Sequence, residues 1–145
     1  MTTIVYRDGI LAADRQSSGG GLVTRCRKLF KVQQYAIGVS GNLASGILFR
    51  NWWDNRRQGD CPLDEDTHAL VMDTNTGVCE LWEHPGVGIP IEEDFAAIGS
   101  GSGIAYGALE MGATARQAVS AAIKWDESSG VGVHTITSKN ASESV

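Results

Sequence analysis

Thr2-Thr3-Ile4-Val5-Tyr6-Arg7-Asp8-Gly9-Ile10-Leu11-Ala12-Ala13-Asp14 is the stretch on which the reading of this chain turns. Its β-branched and aromatic residues favour extended backbone. An Asp-Gly pair between two such runs is a hairpin signal, because both residues tolerate the left-handed backbone that a two-residue turn demands. The chain therefore enters a sheet at its second residue and folds straight back, and Asp14 stands at the end of the second run.

Outward from this hairpin, residues 17–21 (Ser-Ser-Gly-Gly-Gly) form a flexible turn into residues 22–32, whose partial alternation of apolar and polar side chains predicts a strand. A further apolar run over 35–40 is closed by Gly41 and Asn42. From Leu43 the pattern turns helical: Leu43, Ile47, Leu48 and Trp52 recur at helical offsets, Ser40 or Asn42 can cap the start, and the helix is expected to end near Gln58 and Gly59. Trp52 and Trp53 point about 100° apart on that helix, one toward the core and the other toward the core or a neighbouring subunit. Residues 68–73 and 78–83 flank a second hairpin turn, and 95–98 make a short strand before Gly99-Ser100-Gly101-Ser102-Gly103. Two helices follow over 104–111 and 114–125, split at Gly112. Thr114 caps the second, which turns Ala118, Ala121, Ala122 and Trp125 to one face. Residues 131–137 supply a closing strand, and 138–145 a polar tail that frays. Strands in antiparallel hairpins and helices in separate blocks mean an α+β fold in one domain, residues 1–137, and disfavour an alternating dinucleotide-binding unit.

A chain of 145 residues, 42% hydrophobic and 20% charged, is long enough for one ordinary core. Net charge is −5 and the basic residues are interleaved with apolar or acidic ones, so no nucleic-acid partner is expected. Cys26, Cys61 and Cys79 are odd in number and widely spaced, which fits neither a disulfide framework nor a zinc site and suits a reducing cytoplasm. His68, His84 and His134 lack metal spacing. No signal peptide and no membrane span is expected, since no basic segment precedes an apolar core and no apolar run approaches about 20 residues. The glycine-rich segment 99–103 fails both phosphate-loop templates: Tyr106 stands where the last glycine of G-x-G-x-x-G would be, and no Gly-Lys-Ser/Thr follows. No cofactor motif is present.

The chemistry begins at Thr2. A threonine hydroxyl is a weak nucleophile, but a threonine at the true N-terminus carries a base in its own α-amine, and removal of Met1 would create one. An α-amine titrates near 7.7–8.0 and a neighbouring ammonium lowers that value; Lys28 is a candidate for the ammonium and Asp14 for its anchor.

These segments resemble the proteasome β-subunits and the related bacterial HslV peptidase. The matching blocks are Thr2-Thr3-Ile4-Val5, Ala12-Ala13-Asp14, Arg27-Lys28-Leu29-Phe30-Lys31-Val32, Val39-Ser40-Gly41-Asn42-Leu43-Ala44, Ala97-Ile98-Gly99-Ser100-Gly101 and Asp126-Glu127-Ser128-Ser129-Gly130. They fall in the same order as in that family and touch most of the chain. The resemblance implies a four-layer αββα sandwich and a threonine endopeptidase without metal or cofactor. In it Thr2 would be nucleophile and base, Lys28 the tuning cation, Asp14 its anchor and Gly41 the oxyanion donor, while Ser100, Asp126 and Ser129 would hold the amine and relay protons. Cys26, Val39 and Leu43 would line an apolar first specificity pocket. The implied partners are a peptide or unfolded-protein substrate, copies of the same chain in a homo-oligomeric ring and an ATP-dependent unfoldase. The chain departs from the pattern between Gln58 and His68, too short for the family's second helix, so one outer helix is shortened or missing and contacts to a capping ring or unfoldase are in question. Two alternatives stay open: a catalytically silent ring-forming protein of the same fold, which a retained Met1 would favour, and a small-molecule amide hydrolase.

Overall fold

A computed structural model describes residues 2–19 and 21–141; Met1, the subject of the processing expectation, lies outside the described residues. The opening hairpin is present as read. Strands β1 (Thr3–Arg7) and β2 (Ile10–Asp14) pair antiparallel with Arg7 opposite Ile10, leaving Asp8 and Gly9 as a two-residue turn. Both turn residues have positive φ, 51° and 74°, the hand that follows strand twist. Strand β2 is buried at all five positions because it is covered on both sides: Leu11 and Ala13 face one layer, Ile10 and Ala12 the other.

The expected turn over 17–21 is instead part of a small hairpin, β3 (Gln16–Gly19) with β4 (Leu22–Arg25), and the single strand expected over 22–32 is broken. Residues 26–28 separate β4 from β5 (Leu29–Val32), which pairs with β6 (Tyr35–Ser40). Helix α1 (Leu43–Asp54) follows, capped by Asn42 Oδ1, which accepts from the Ser45 N–H at 2.7 Å. It stops four residues earlier than expected, where Arg56 and Arg57 both take φ of 57°. Its buried stripe is Gly46, Phe49 and Trp53, one residue round from the expected Leu43-Ile47-Leu48-Trp52. Residues 58–67 form no helix, so the outer layer here is one helix short. Strands β7 (His68–Asp73) and β8 (Cys79–Glu83) form the second hairpin, and β9 (Val87–Pro90) is an edge strand that glycine and proline concealed from pattern reading. Strand β10 (Phe95–Gly99) precedes α2 (Ser102–Glu110) and α3 (Ala115–Trp125). Thr114 and Gln117 make a reciprocal capping box on α3, whose buried face is Ala115, Ala118, Val119 and Ala122; Trp125, placed on that face by the sequence, is exposed. Strand β11 (Val133–Thr137) closes the first sheet against β2.

The layers follow from these faces. One antiparallel sheet runs β10-β1-β2-β11 and the other β5-β6-β7-β8-β9. Between them lie Ile4, Leu11, Leu29, Leu70 and Met72; α2 and α3 cover the outer face of the first sheet, and α1 with Leu63 covers the second. Among the described residues this is an αββα sandwich with three helices. At the end away from Asp14, residues 138–141 of the expected tail are docked: Ser138 N–H donates to Gly9 at 2.7 Å and Lys139 N–H to Thr74 at 2.8 Å.

Leu70 is fully buried between the sheets. Leu70→Ala is expected to lower the unfolding free energy by about 2–5 kcal/mol in urea denaturation, whereas Met111→Ala, at an exposed position, should change it by no more than about 0.5 kcal/mol.

Candidate active site

The sandwich has one end at which β1 and β5 begin and β2 and β6 finish, and Asp14 and Lys28 meet there. Asp14 is fully buried, and Lys28 Nζ donates to both of its carboxylate oxygens at 3.0 Å. Lys28 reaches it because the chain breaks at residues 26–28 between two strands. Three backbone N–H groups complete the carboxylate: Thr3 at 2.9 Å, and Gln16 and Gly130 each at 3.1 Å. A carboxylate removed from water requires such answers, and here they come from four separate segments.

Thr2, at the entrance to β1, is buried and lines a cavity of about 240 Å³. Lys28, Cys26, Val39, Gly41 and Leu43 line the same cavity, so six sequence-selected positions share one wall system. Gly41 has φ of 123°, and a Cβ there would come within 2.6 Å of Thr67 Cγ2, so no side chain fits. Gly99 is similarly required: a Cβ would run into the Thr2 carbonyl. Strand β10 therefore lies flush against the start of β1.

Ser100, Asp126 and Ser129 gather beside Thr2 and Thr3. Ser100 Oγ and Ser129 Oγ each donate to Asp126 Oδ2 at 2.7 Å, Ser129 Oγ and Thr3 Oγ1 are 2.8 Å apart, and Ser100 Oγ lies 3.5 Å from the Thr2 carbonyl. Burial alone works upward on the Asp126 pKa, but the hydrogen bonds from Ser129, Ser100 and the Ser128 N–H outweigh it and hold the carboxyl below its ordinary value. Burial raises the Cys26 thiol, only partly opposed by Lys28, and pushes Cys79 up to about 12. Cys26 therefore faces the cavity as a protonated, small apolar wall group and not as a thiolate. Among the described residues no group of three or more His, Cys, Asp or Glu side chains is placed to hold a metal ion, and no helix is long and apolar enough to cross a membrane.

The cavity also takes Gln16, Ser17, Ser18, Phe30, Asn42 and Gly46, none of which the sequence had marked as a site residue. A signal existed for most. Side chains two apart on extended chain share a side, so Gln16 and Ser18 follow from Asp14, and Phe30 from Cys26 and Lys28; Gly46 follows from Asn42 by a helical step of four. Thr3, bonded to Ser129, had no such signal.

No protein-family model and no curated protein matches the chain. Solved structures do. BPH of Thiobacillus denitrificans superposes with a TM-score of 0.71 at 18% identity, over 99% of this chain and 99% of that one. The same protein in complex with epoxomicin gives 0.69 at 17%, over 97% and 99%. HslV of Trypanosoma brucei gives 0.70 at 20%, over 93% and 97%. The fold is therefore that of the HslV-type sandwich along nearly the whole chain.

Removing Asp14 takes the carboxylate from Lys28 and strands three buried N–H groups, whereas removing Lys28 leaves a carboxylate still held by those three donors. Lys28→Ala is expected to cost about 3–5 kcal/mol in urea unfolding, and Asp14→Ala more. The lowered Asp126 pKa fixes a second outcome. Its contribution is fully present above the ordinary carboxylate range and is lost as pH falls through its lowered value in the folded chain. Acid titration of stability below about pH 4 should thus be shallower in Asp126→Asn than in the parent.

Proposed function

We propose that this chain is a threonine-type endopeptidase, an N-terminal-nucleophile hydrolase that uses Thr2 after removal of Met1 and works inside a homo-oligomeric ring. The observation that carries the reading is buried Lys28, paired with Asp14, in the wall of the cavity that Thr2 lines. An ammonium fixed there by both carboxylate oxygens stabilises the neutral form of a nearby α-amine and so keeps a base ready at neutral pH. The fold supports it, and one structural neighbour, BPH, is known in complex with epoxomicin.

The steps balance with the chain's own groups. Thr2 Oγ attacks the substrate carbonyl carbon while the Thr2 amine takes the hydroxyl proton. The tetrahedral oxyanion accepts from the Gly41 N–H, a donor of a kind whose loss raises a barrier by about 2.7–4 kcal/mol. The C–N bond then breaks as the amine passes its proton to the leaving nitrogen, leaving an ester on Thr2. Water, deprotonated by the same amine, attacks the ester and restores the hydroxyl. Ser129, Ser100 and Asp126 hold the amine and hand protons along their 2.7 Å hydrogen bonds. Cys26, Val39 and Leu43 make an apolar wall suited to an apolar P1 side chain. An unfolded polypeptide delivered by an ATP-dependent unfoldase is the substrate such a ring would receive, in the cytoplasm.

Intact-mass measurement and hydrolysis of fluorogenic peptides test the proposal together. The purified chain should lack the mass of one methionine and cleave peptides with apolar P1 residues faster than simple amides. Thr2→Ala should abolish turnover and epoxomicin binding, and Lys28→Ala should reduce turnover at least 100-fold, on the scale expected for loss of general-base catalysis. A retained Met1 with no turnover would leave the silent ring-forming reading, and wild-type turnover in Thr2→Ala would remove Thr2 as nucleophile.

A further inference from the structure

Charge is divided unevenly along the chain. The first 32 residues carry six basic and two acidic side chains, and the remaining 113 carry six basic and fifteen acidic. Much of the basic excess sits at the hairpin β3–β4 and the connection that follows it. Arg15, Arg25 and Arg27 have no carboxylate within 4.0 Å among the described residues. Among the described residues the hairpin's strands pair only with each other, β4 is exposed at all four positions, and Leu22 and Val23 near its tip are 68% and 62% exposed. It leads directly into β5, the outermost strand of the second sheet, at the end where the cavity lies.

The opposite edge of that sheet, at the same end, is its complement. The segment after α1 carries Asp60, Asp64, Glu65 and Asp66, all exposed, with no basic residue between Gln58 and Thr67. It lies against the β8–β9 turn: His84 Nδ1 is 3.0 Å from the Leu63 carbonyl, and a Cβ on Gly86 would sit 2.8 Å from Cys61 Cβ. Beside it runs the open edge strand β9, with Val87 and Ile89 exposed. One edge thus offers two apolar side chains and exposed arginines, and the other offers two apolar side chains and four carboxylates. Four strand spacings, roughly 19 Å, separate β5 from β9, so the two cannot meet within one chain.

We infer that the hairpin β3–β4 of one copy docks on the 60–66 segment and the β9 edge of the next, a head-to-tail contact around the end that holds the cavity. Two different surfaces that complement each other make a heterologous interface, and a heterologous interface that closes makes a ring. Electrostatic complementarity sets which edges meet, and the four apolar side chains supply the buried centre. This rests on the ring reading and identifies the surfaces that build it.

Charge reversal on each side tests it, with mass read by light scattering after size exclusion at about 0.1 M salt. One chain carries Arg25→Glu and Arg27→Glu, the other Asp60→Lys, Glu65→Lys and Asp66→Lys; near-ultraviolet circular dichroism reports whether each is folded. The parent should be an assembly that weakens as salt rises. Each variant alone should be monomeric, because its two edges then repel, while an equimolar mixture should reassemble with both chains in equal amount. If a reversed chain does not fold, Arg25→Gln with Arg27→Gln replaces it and should raise the protein concentration needed for assembly at least tenfold. Reversed chains that assemble alone as the parent does, or folded ones that stay monomeric when mixed, would overturn this contact while leaving the ring. A monomeric parent would overturn both, and arginine-dependent cleavage of acidic peptides by that monomer would assign the hairpin to substrate instead.

Discussion

Asp14 has no exposure to solvent and carries a negative charge, so its oxygens must be answered from inside the fold. The answers come from the start of β1, the start of β3, the break at residues 26–28 and the loop after α3. Four segments, one of them 116 residues away along the chain, are thereby fixed at one point, to within hydrogen-bond tolerance. The arrangement that satisfies a buried carboxylate is also the one that sets an ammonium in the cavity wall beside the first strand. In the proposed function, structural demand and chemistry share the same atoms, so a substitution at Lys28 or Asp14 bears on both at once.

How much of this was legible in the sequence depended on whether the signal was local. The opening hairpin was readable because Asp8-Gly9 states its own turn, and α3 because Thr114 and Gln117 announce a capped start. The meeting of residues 14 and 28 has no local signature; the chemistry of a terminal amine nominated them as ammonium and anchor, and the resemblance to a known family supported the pairing. Strand β9 was lost because Gly88 and Pro90 read as loop residues, although an edge strand tolerates both. The face of α1 was read one residue out. Gly46 contributes no hydrophobicity to a periodicity count, yet it is buried on the inner face, where a Cβ would make ordinary contact with Phe30 and Val39 at 3.6–3.7 Å. The exposed Leu43, Ile47 and Leu48 dominated the pattern instead. In the cavity, Thr2, Lys28, Cys26, Val39, Gly41 and Leu43 were found while Gln16 was not, because nothing about a glutamine alone distinguishes a cavity from a surface.

The outer layer over the second sheet shows how the fold manages with one helix where a pair would give fuller cover. Bulk is concentrated in aromatic rings. Phe49, Trp52 and Trp53 of α1 meet Trp82 of β8, with the Trp53 and Trp82 centroids 5.2 Å apart at 85° and Trp52 to Trp82 at 5.9 Å. Edge-to-face rings of this size cover much surface per residue. Leu63 and half-buried Cys61 add to the same cluster from the segment that replaces the missing helix. Trp52, which the sequence left open between core and neighbour, takes the core side, and its indole N–H donates to Gly59 at 3.1 Å. The segment after α1 is thus pinned from beneath while its carboxylates remain outside.

The docking of residues 138–141 has a mechanical consequence. Ser138 holds the β1–β2 turn, Lys139 and Asn140 hold the β7–β8 turn, and Tyr6 Oη reaches across from the first sheet to Gly77 at 2.7 Å. The two sheets are laced together here by these bonds and at the other end by the Lys28–Asp14 pair, which ties the lead into β5 to the end of β2. Splaying of the sheets about either end would have to break buried bonds at the other, one of them between charged groups. The sandwich is thus riveted at both rims, and relative slip of its layers is opposed at each.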